Sequence, residues 1–554
     1  MKRQLLTLSL FVLSSPLLHA QLQDVEIRAM RDEMQRSMKE LHLESMERPY
    51  YIAYKIVDTD RKEARASFGS LTSSGEIRNR VLTITVRVGS YDLDNSNFTS
   101  ANLGAAAALL SSLGGGSTAL PVDDNYEELR RKIWLATDSA YKRAVEDLSG
   151  KKAALQNRNR GENIPDFSKE APRQESEMFP PIDEKLADAE HLVRAAVEIS
   201  GAQFEVVNTT EHFLNSEGTT YIRQVPHLYF HVAASMQDST GEIFSDSYSA
   251  YSRSLSELPA ETFLINESQA VADRLSARRR GHAAKRYNGP VLFDGESAAE
   301  LFAHHFADLL SAHAHSTTDG NSPLAALLTG STASLLNKVG SRVLPDFLTV
   351  IDNPQLTQAD GHTLFGNYKF DEEGTPSQET VLVKDGVLKT LLTSRTPARG
   401  MLRSTGNMRE RGILPGNLFL DASKTLSSED LKKQLIDLVK TRGLEYGVII
   451  RRLSGNAALE ASRVYPDGHE EAVCDARVAE ITVSSFKDIL AVSKDRTVYT
   501  ERAAITSLLS LSPSSSGDLI TYVVPDMLFE DMTVEHVPND TPKLPDIPSP
   551  LASN

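Results

Sequence analysis

"GNYKFDEEGTPSQETVLVKDGVLKTLLTSRTPARG" runs from Gly366 to Gly400. Inside it, Asp385-Gly386 separates two apolar runs, "ETVLVK" and "VLKTLLTSR". Asp-Gly tolerates the positive φ angles of a tight type I′ turn, so the spacing predicts a β-hairpin. Upstream, Asp371-Glu372-Glu373 stands just before Gly374. Two readings of that acidic run stay open. It is a carboxylate site for acid–base work, or a polar turn joining Phe370 to the following strand.

Working outward, "YGVIIRRLSG" and further apolar runs to about Val492 predict strands, with a helix over Ser427–Arg442 before them. "YNGPVLFDGESAAELFAHHFADLL" reads as strand, turn and helix, and is followed by a Gly/Ser/Thr/Asn-rich region, Ser316–Gly340. The N-terminal half alternates differently. Helical spacing appears at 24–47, 123–156, 184–200 and 260–280, and strand patterns at Arg48–Asp58, Arg78–Asn95 and between 201 and 253. Ser100–Leu120 is rich in Ala, Gly and Ser and reads as a flexible insertion. The expected fold class is α+β: an N-terminal α+β domain over 21–285, a strand-rich C-terminal domain over 286–525, and a Pro-rich tail over 526–554.

"MKRQLLTLSLFVLSSPLLHAQ" opens with Lys2 and Arg3, continues apolar, and offers a small residue, Ala20, before Gln21. That is the form of a signal peptide over residues 1–20, which implies an exported protein, periplasmic or extracellular. Its loss would remove two positive charges and no acids, taking the formal charge from −16 to −18. So acidic a chain is ill suited to grip nucleic acid through phosphates. No segment reaches the roughly 20 apolar residues of a membrane span. Cys474 is the one cysteine, which excludes an intrachain disulfide and cysteine-rich zinc sites; its alternating surroundings predict a half-buried structural thiol in a strand.

With "FDEEGTP", "VKDGVLK" and "STGNMR" (Ser404–Arg409) in this order, the chain resembles the TldD/PmbA family of zinc-dependent peptidases and their relatives. "RPYYIAY", "VRVGSYDLDNS" and "LRRKIWLATDSAYKRA" resemble its exported members, and the likeness covers roughly Val25 to Pro525. The resemblance implies two domains, a peptidase-like site in the second, and pairing between a metal-binding TldD type and a PmbA type that lacks the metal motif. In the TldD type a helix at the start of the second domain carries His-Glu-x-x-x-His. The two histidines hold zinc, and the glutamate is the general base.

Here that helix is read over Ser297–His315, and "AHHFADLLSAHAH" (303–315) holds four of the fourteen histidines. Placing the first ligand on His304 puts His305 at the glutamate and Leu309 at the second histidine; sliding by one puts Phe306 and Leu310 there. Neither register restores the motif, which sets the chain nearer the PmbA type. Helical phase points the same way. Ala298, Leu301, Phe302, His305, Phe306, Leu309 and His313 share an arc of about 140°, while Glu300, His304, Asp308, Ser311 and His315 lie opposite. His304 and Asp308, one turn apart, could share an ion only with ligands from elsewhere, such as His362, Asp371 or Glu372.

The expectation is therefore a non-catalytic partner subunit, or a peptide-binding module, of a proteolytic complex. It would take peptide or unfolded polypeptide and form a homo- or hetero-oligomer with a TldD-like subunit, with no cofactor. The alternative is an active metal-dependent peptidase with zinc on a rearranged His304/Asp308 site. A scaffold without peptide ligand is the third reading.

Overall fold

The computed structural model describes residues 24–99, 117–156, 164–195, 201–237, 243–280, 282–313, 317–318, 335–410, 412–474, 476–479, 481–503 and 518–536. The expected signal peptide lies outside them, as does residue 315.

In the N-terminal half a helix, α1 (Val25–Glu40), precedes a long hairpin, β1 (Pro49–Ser67) and β2 (Ser70–Val88). The polar stretch 59–77 thus continues both strands rather than separating them. The turn is Phe68-Gly69, both at positive φ. Then come β3 (Ser117–Leu120), α2 (Tyr126–Gln156), β4 (Gln174–Met178), α3 (Leu186–Ala195), β5 (Gly201–Asn215), β6 (Thr220–Gln237), β7 (Ile243–Ser252) and α4 (Glu261–Arg280). Residues 117–120, expected within the insertion, form an edge strand instead, paired with β2 over Arg80–Thr83.

The sheet runs β3-β2-β1-β5-β6-β4, with β7 also on β6. Period-2 alternation gives it two unlike faces. Ile52, Tyr54 and Ile56 of β1 pack under α1 and α2 with Met30, Leu129 and Ile133. Farther along the same strand Ala64 and Ala66 meet α3 residues Ala189 and Val193. The alternate residues, Tyr51 and Ala53, join Phe213, Tyr221, Phe167 and Phe370. Phe370 belongs to the C-terminal half, so the helix-free face of the sheet is where the second domain docks.

The second domain contains β8 (Tyr287–Phe293), α5 (Glu296–His305), β9 (Leu348–Asp352), β10 (Thr380–Lys384), β11 (Val387–Leu388), β12 (Asn417–Ala422), α6 (Ser428–Thr441), β13 (Gly447–Ser454), β14 (Ala457–Val464), β15 (Glu470–Cys474), β16 (Ala476–Ala479), β17 (Ile489–Arg502) and β18 (Leu519–His536). Its sheet runs β11-β10-β9-β12-β18-β8-β13-β14-β15, with β17 on β18 and β16 on both β14 and β18. The hairpin at Asp385-Gly386 forms with both residues at positive φ. A side chain at Gly386 would collide with the Leu344 carbonyl, 2.2 Å from an added Cβ, so glycine is required there. Cys474 is buried at the end of its strand.

The expected end of this domain at 525 falls in the middle of β18, which continues to His536. Pro525 explains the misreading, since proline argues against a central strand. It is tolerated because β18 changes partners there. β12 pairs with Thr521–Val523, β8 pairs from Met527 onward, and at Pro525 the one pairing shown is to Arg496 of β17.

Candidate functional site

The helix read over 297–315 is shorter than its pattern. α5 stops at His305, Ala307–Leu310 make a single 3-10 turn, and Ser311 is extended. The cause is tertiary. The Leu392 amide donates to the Leu310 carbonyl and the Ala312 amide to the Leu392 carbonyl, both at 2.8 Å, so the chain straightens beside 390–393. Consequently the phase prediction holds only for the first two turns. Ala298, Leu301, Phe302 and Phe306 are buried, but His305 and Leu309 are half-buried and His313 is exposed. Ser311, assigned to the polar arc, is buried and donates to the Ile413 carbonyl at 2.8 Å.

α5 is held firmly at its start. The Gly295 amide donates to Asp526 Oδ1 at 2.9 Å, and Ser297 Oγ donates to the Ile450 carbonyl at 2.6 Å. This anchoring directs the outer face of α5 at the end of β17. His304 Nε2 lies 3.3 Å from Glu501 Oε2. Tyr499 donates to Glu300 Oε1 at 3.4 Å, and the Leu453 amide donates to Glu300 Oε2 at 3.2 Å. Burial, followed by the neighbouring Glu296 charge, pushes the Glu300 carboxyl up to about 8. Burial also raises Glu501, with His304 pulling it back and Asp308 adding to the rise. Asp308 is raised by burial and lowered by His304. The patch therefore holds its carboxyls above their ordinary range and leaves one imidazole facing solvent.

A catalytic zinc needs three protein donors and an open position. Among the described residues, the group of three whose donor atoms lie within 4.8 Å of one another is Asp24, Glu26 and His212, far from α5 in the sequence and in the other domain. His304, Asp308 and Glu501 do not form such a group. The proposed supplements are elsewhere. His362 lines an open depression of about 770 Å³ with Asp360, Asp421 and Arg496, and neither His304 nor Asp308 borders it. The residues of α5 thus do not fit a peptidase zinc centre.

Asp371 and Glu372 have other work. Asp371 is buried and accepts backbone N–H bonds from Glu373, Thr375 and Met408 at 3.0, 2.8 and 3.1 Å, which shapes the turn. Glu372 reaches into the N-terminal sheet, pairing with Lys55 of β1 and with Arg223 of β6 at 3.2 Å. Glu373 accepts the Arg395 amide at 2.7 Å. The fully buried Arg395 pairs with Glu217 at 2.8 Å and lies 4.0 Å over Phe167. Gly374, at φ +76°, lies so close to Phe213 that an added Cβ would stand 2.8 Å from its ring. Nearby, Arg409 holds Asp518 at 3.0 Å, and Arg87 holds Asp94 at 2.8 Å. The acidic run is a polar turn that locks two domains together rather than an acid–base pair. Its neighbours Arg87, Arg395 and Arg409 come from three separate segments, and a single sequence offers no signal that they meet.

Glu501 was missed because "VYTERAA" continues a strand beyond the expected end near Val492, and its facing partner on α5 is nearly two hundred residues away.

Residues 285–536 match the model of the PmbA/TldA metallopeptidase C-terminal domain. A metalloprotease of Methanothermobacter thermautotrophicus is 30% identical over 184 residues, 32% of this chain and 39% of the relative. Metalloprotease PmbA of Escherichia coli O157:H7 is 26% identical over 266 residues, 47% of this chain and 52% of the relative. The chain spans about half or less of the length of the curated relatives it matches. In fold it is similar to TldE from Thermococcus kodakarensis, with a TM-score of 0.56 at 15% identity, covering 92% of this chain and 100% of that one.

Proposed function

Residues 285–536 form a domain of the PmbA/TldD metallopeptidase family, and from that premise we propose that this chain is an exported, non-catalytic partner subunit of a proteolytic complex, binding peptide or unfolded polypeptide beside a TldD-like subunit. The observation that carries the reading is the state of α5. It ends at His305, before the position where a second histidine would face the first, and that position holds Leu309. The patch around His304 offers two close donors, His304 and Glu501, short of the three a hydrolytic zinc requires. Export is carried by the basic, apolar and small-residue order of residues 1–20. N-terminal sequencing of the secreted chain is expected to begin near Gln21.

The enzyme reading keeps one favouring observation. Glu501 adds a donor to His304 that the sequence had not indicated. Peptide hydrolysis by the purified mature chain, alone and mixed with a TldD-type chain, separates the two. The partner reading expects no hydrolysis by the chain alone, and altered hydrolysis by the mixture. Hydrolysis by the chain alone that disappears in His304→Ala, together with one bound metal ion, sinks it.

A further inference from the structure

Asp24, Glu26 and His212 bring three donor atoms within 4.8 Å of one another, in the domain opposite to α5. The chain delivers them from two elements. Asp24 caps α1, its Oδ1 accepting the Val25 amide at 2.7 Å, and Glu26 follows in the first turn. His212 comes from β5, where it sits opposite Ile56 of β1. Its side chain is 4% exposed, and Nε2 lies 3.2 Å from Asp24 Oδ2.

Two independent features point to a missing cation. The first is unmet bonding. Glu26 Oε2 is buried and has no hydrogen-bond partner, and both Glu26 and His212 are more than nine-tenths buried. An orphaned carboxylate oxygen in such a place carries a desolvation cost that a bound ion would offset. The second is charge. The Arg80 guanidinium is inserted here and pairs with Glu26 at 2.6 Å, Asp58 at 2.5 Å and Asp124 at 3.0 Å. With Asp24 that makes four carboxyl groups around the Arg80 guanidinium. Arg80 uses Glu26 Oε1, which leaves Oε2 free.

We infer that Asp24, Glu26 and His212 form a binding site for a divalent transition ion of the zinc or manganese class. One imidazole with two carboxylates suits those ions better than calcium or magnesium, which prefer oxygen alone. Donors around a tetrahedral ion at about 2.1 Å stand about 3.4 Å apart, which the His212–Asp24 pair already meets at 3.2 Å, so Glu26 is the donor that closes on the ion. Asp24, 43% exposed at the helix end, gives the ion its path from solvent. Asp58 completes the arrangement. Its Oδ2 stands 3.7 Å from His212 Nδ1, on the side of the ring away from Asp24. Drawn in to hydrogen-bond distance, that carboxylate would orient the ring for metal binding through Nε2. The ion would pin the start of α1 to the sheet.

The test uses the purified mature chain, stripped of metal and then titrated with Zn²⁺ and, separately, Mn²⁺, followed by calorimetry and elemental analysis. One ion per chain is expected. Glu26→Gln, which keeps an acceptor for Arg80 and most of the shape, is expected to weaken binding at least about tenfold, and Asp58→Asn by about 10–100-fold. His212→Gln is expected to abolish it; should that variant not fold, Glu26→Gln with a native circular-dichroism spectrum decides. His304→Ala is expected to bind as the wild type does. Failure to bind either ion at tens of micromolar, or binding unchanged in Glu26→Gln, overturns the assignment. An ion kept in Glu26→Gln but lost in His304→Ala overturns it too, and overturns the partner reading with it. An ion lost in Glu26→Gln and kept in His304→Ala supports the site and leaves that reading standing.

Discussion

Glu300 faces Glu296, Glu501 and Tyr499 inside the seam beside α5, and its carboxyl is pushed up to about 8, first by burial and then by the Glu296 charge. The sign of its effect on stability follows from linkage. An unfolded glutamate ionises near pH 4.3, whereas the folded one keeps its proton to about 8. Between those values the unfolded state alone gains charge, so folding loses up to about 1.4 kcal/mol per pH unit, and above about 8 the loss is complete. Glu300→Gln keeps an acceptor for the Leu453 amide and removes the titration. Its urea midpoint is expected to equal that of the wild type near pH 4 and to exceed it increasingly toward pH 8. A constant difference across that range would show that Glu300 does not hold its proton. The same residue shows what one sequence conceals. Glu300 lay on the polar arc of the helical wheel and read as solvated, because its acidic neighbour Glu501 arrives from β17.

Elements were largely readable where local chemistry decides them. Ser427 caps α6, its Oγ accepting the Asp430 amide at 3.1 Å, and Leu431, Leu435 and Val439 bury one face. The Asp385-Gly386 hairpin formed for the same kind of reason, a turn type that two particular residues satisfy. Elements whose limits depend on partners were misread. α5 has apolar spacing that runs on past His305, yet strand-like bonding to Leu392 ends it, and β18 passes through a proline because no second neighbour pairs there. The family resemblance located the second domain and marked α5 as the place to look for a metal, but not Asp24, Glu26 and His212, which lie in the other half. A cap effect is the cleanest check on the locally determined class. Ser427→Ala is expected to lower stability by about 0.5–2 kcal/mol in chemical denaturation. No loss would mean that packing against β8 and β17, rather than capping, sets where α6 begins.

At the scale of the whole molecule, the segments that carry the family resemblance meet at one seam. "RPYYIAY" supplies Tyr51, "VRVGSYDLDNS" supplies Arg87 and Asp94, "FDEEGTP" supplies Phe370 to Gly374, and "STGNMR" supplies Arg409. Beside the aromatic cluster, Lys55, Arg223 and Arg409 face Glu211, Glu372 and Asp518 with little exposure. Burial by itself would raise Asp518, but Arg409, then Arg223 and Lys55, hold it below the usual carboxylate range. Glu211 is likewise raised by burial and drawn down further by Arg223 and Lys55. For such lowered groups the stabilisation is present above about pH 4 and is lost as the pH falls through the lowered folded value. Buried pairs resist salt, so acid, not ionic strength, is the agent that loosens this seam. Asp518→Asn leaves Arg409 without its countercharge and is expected to cost about 3–5 kcal/mol at pH 7. That cost should shrink as the pH is taken well below 4, because the wild type then protonates the same carboxylate. Urea midpoints of both proteins at pH 7 and near pH 2 check this. An equal penalty at both values would mean that Asp518 acts through shape rather than charge, and that the two domains are joined chiefly by the aromatic cluster of Tyr51, Phe213, Tyr221 and Phe370.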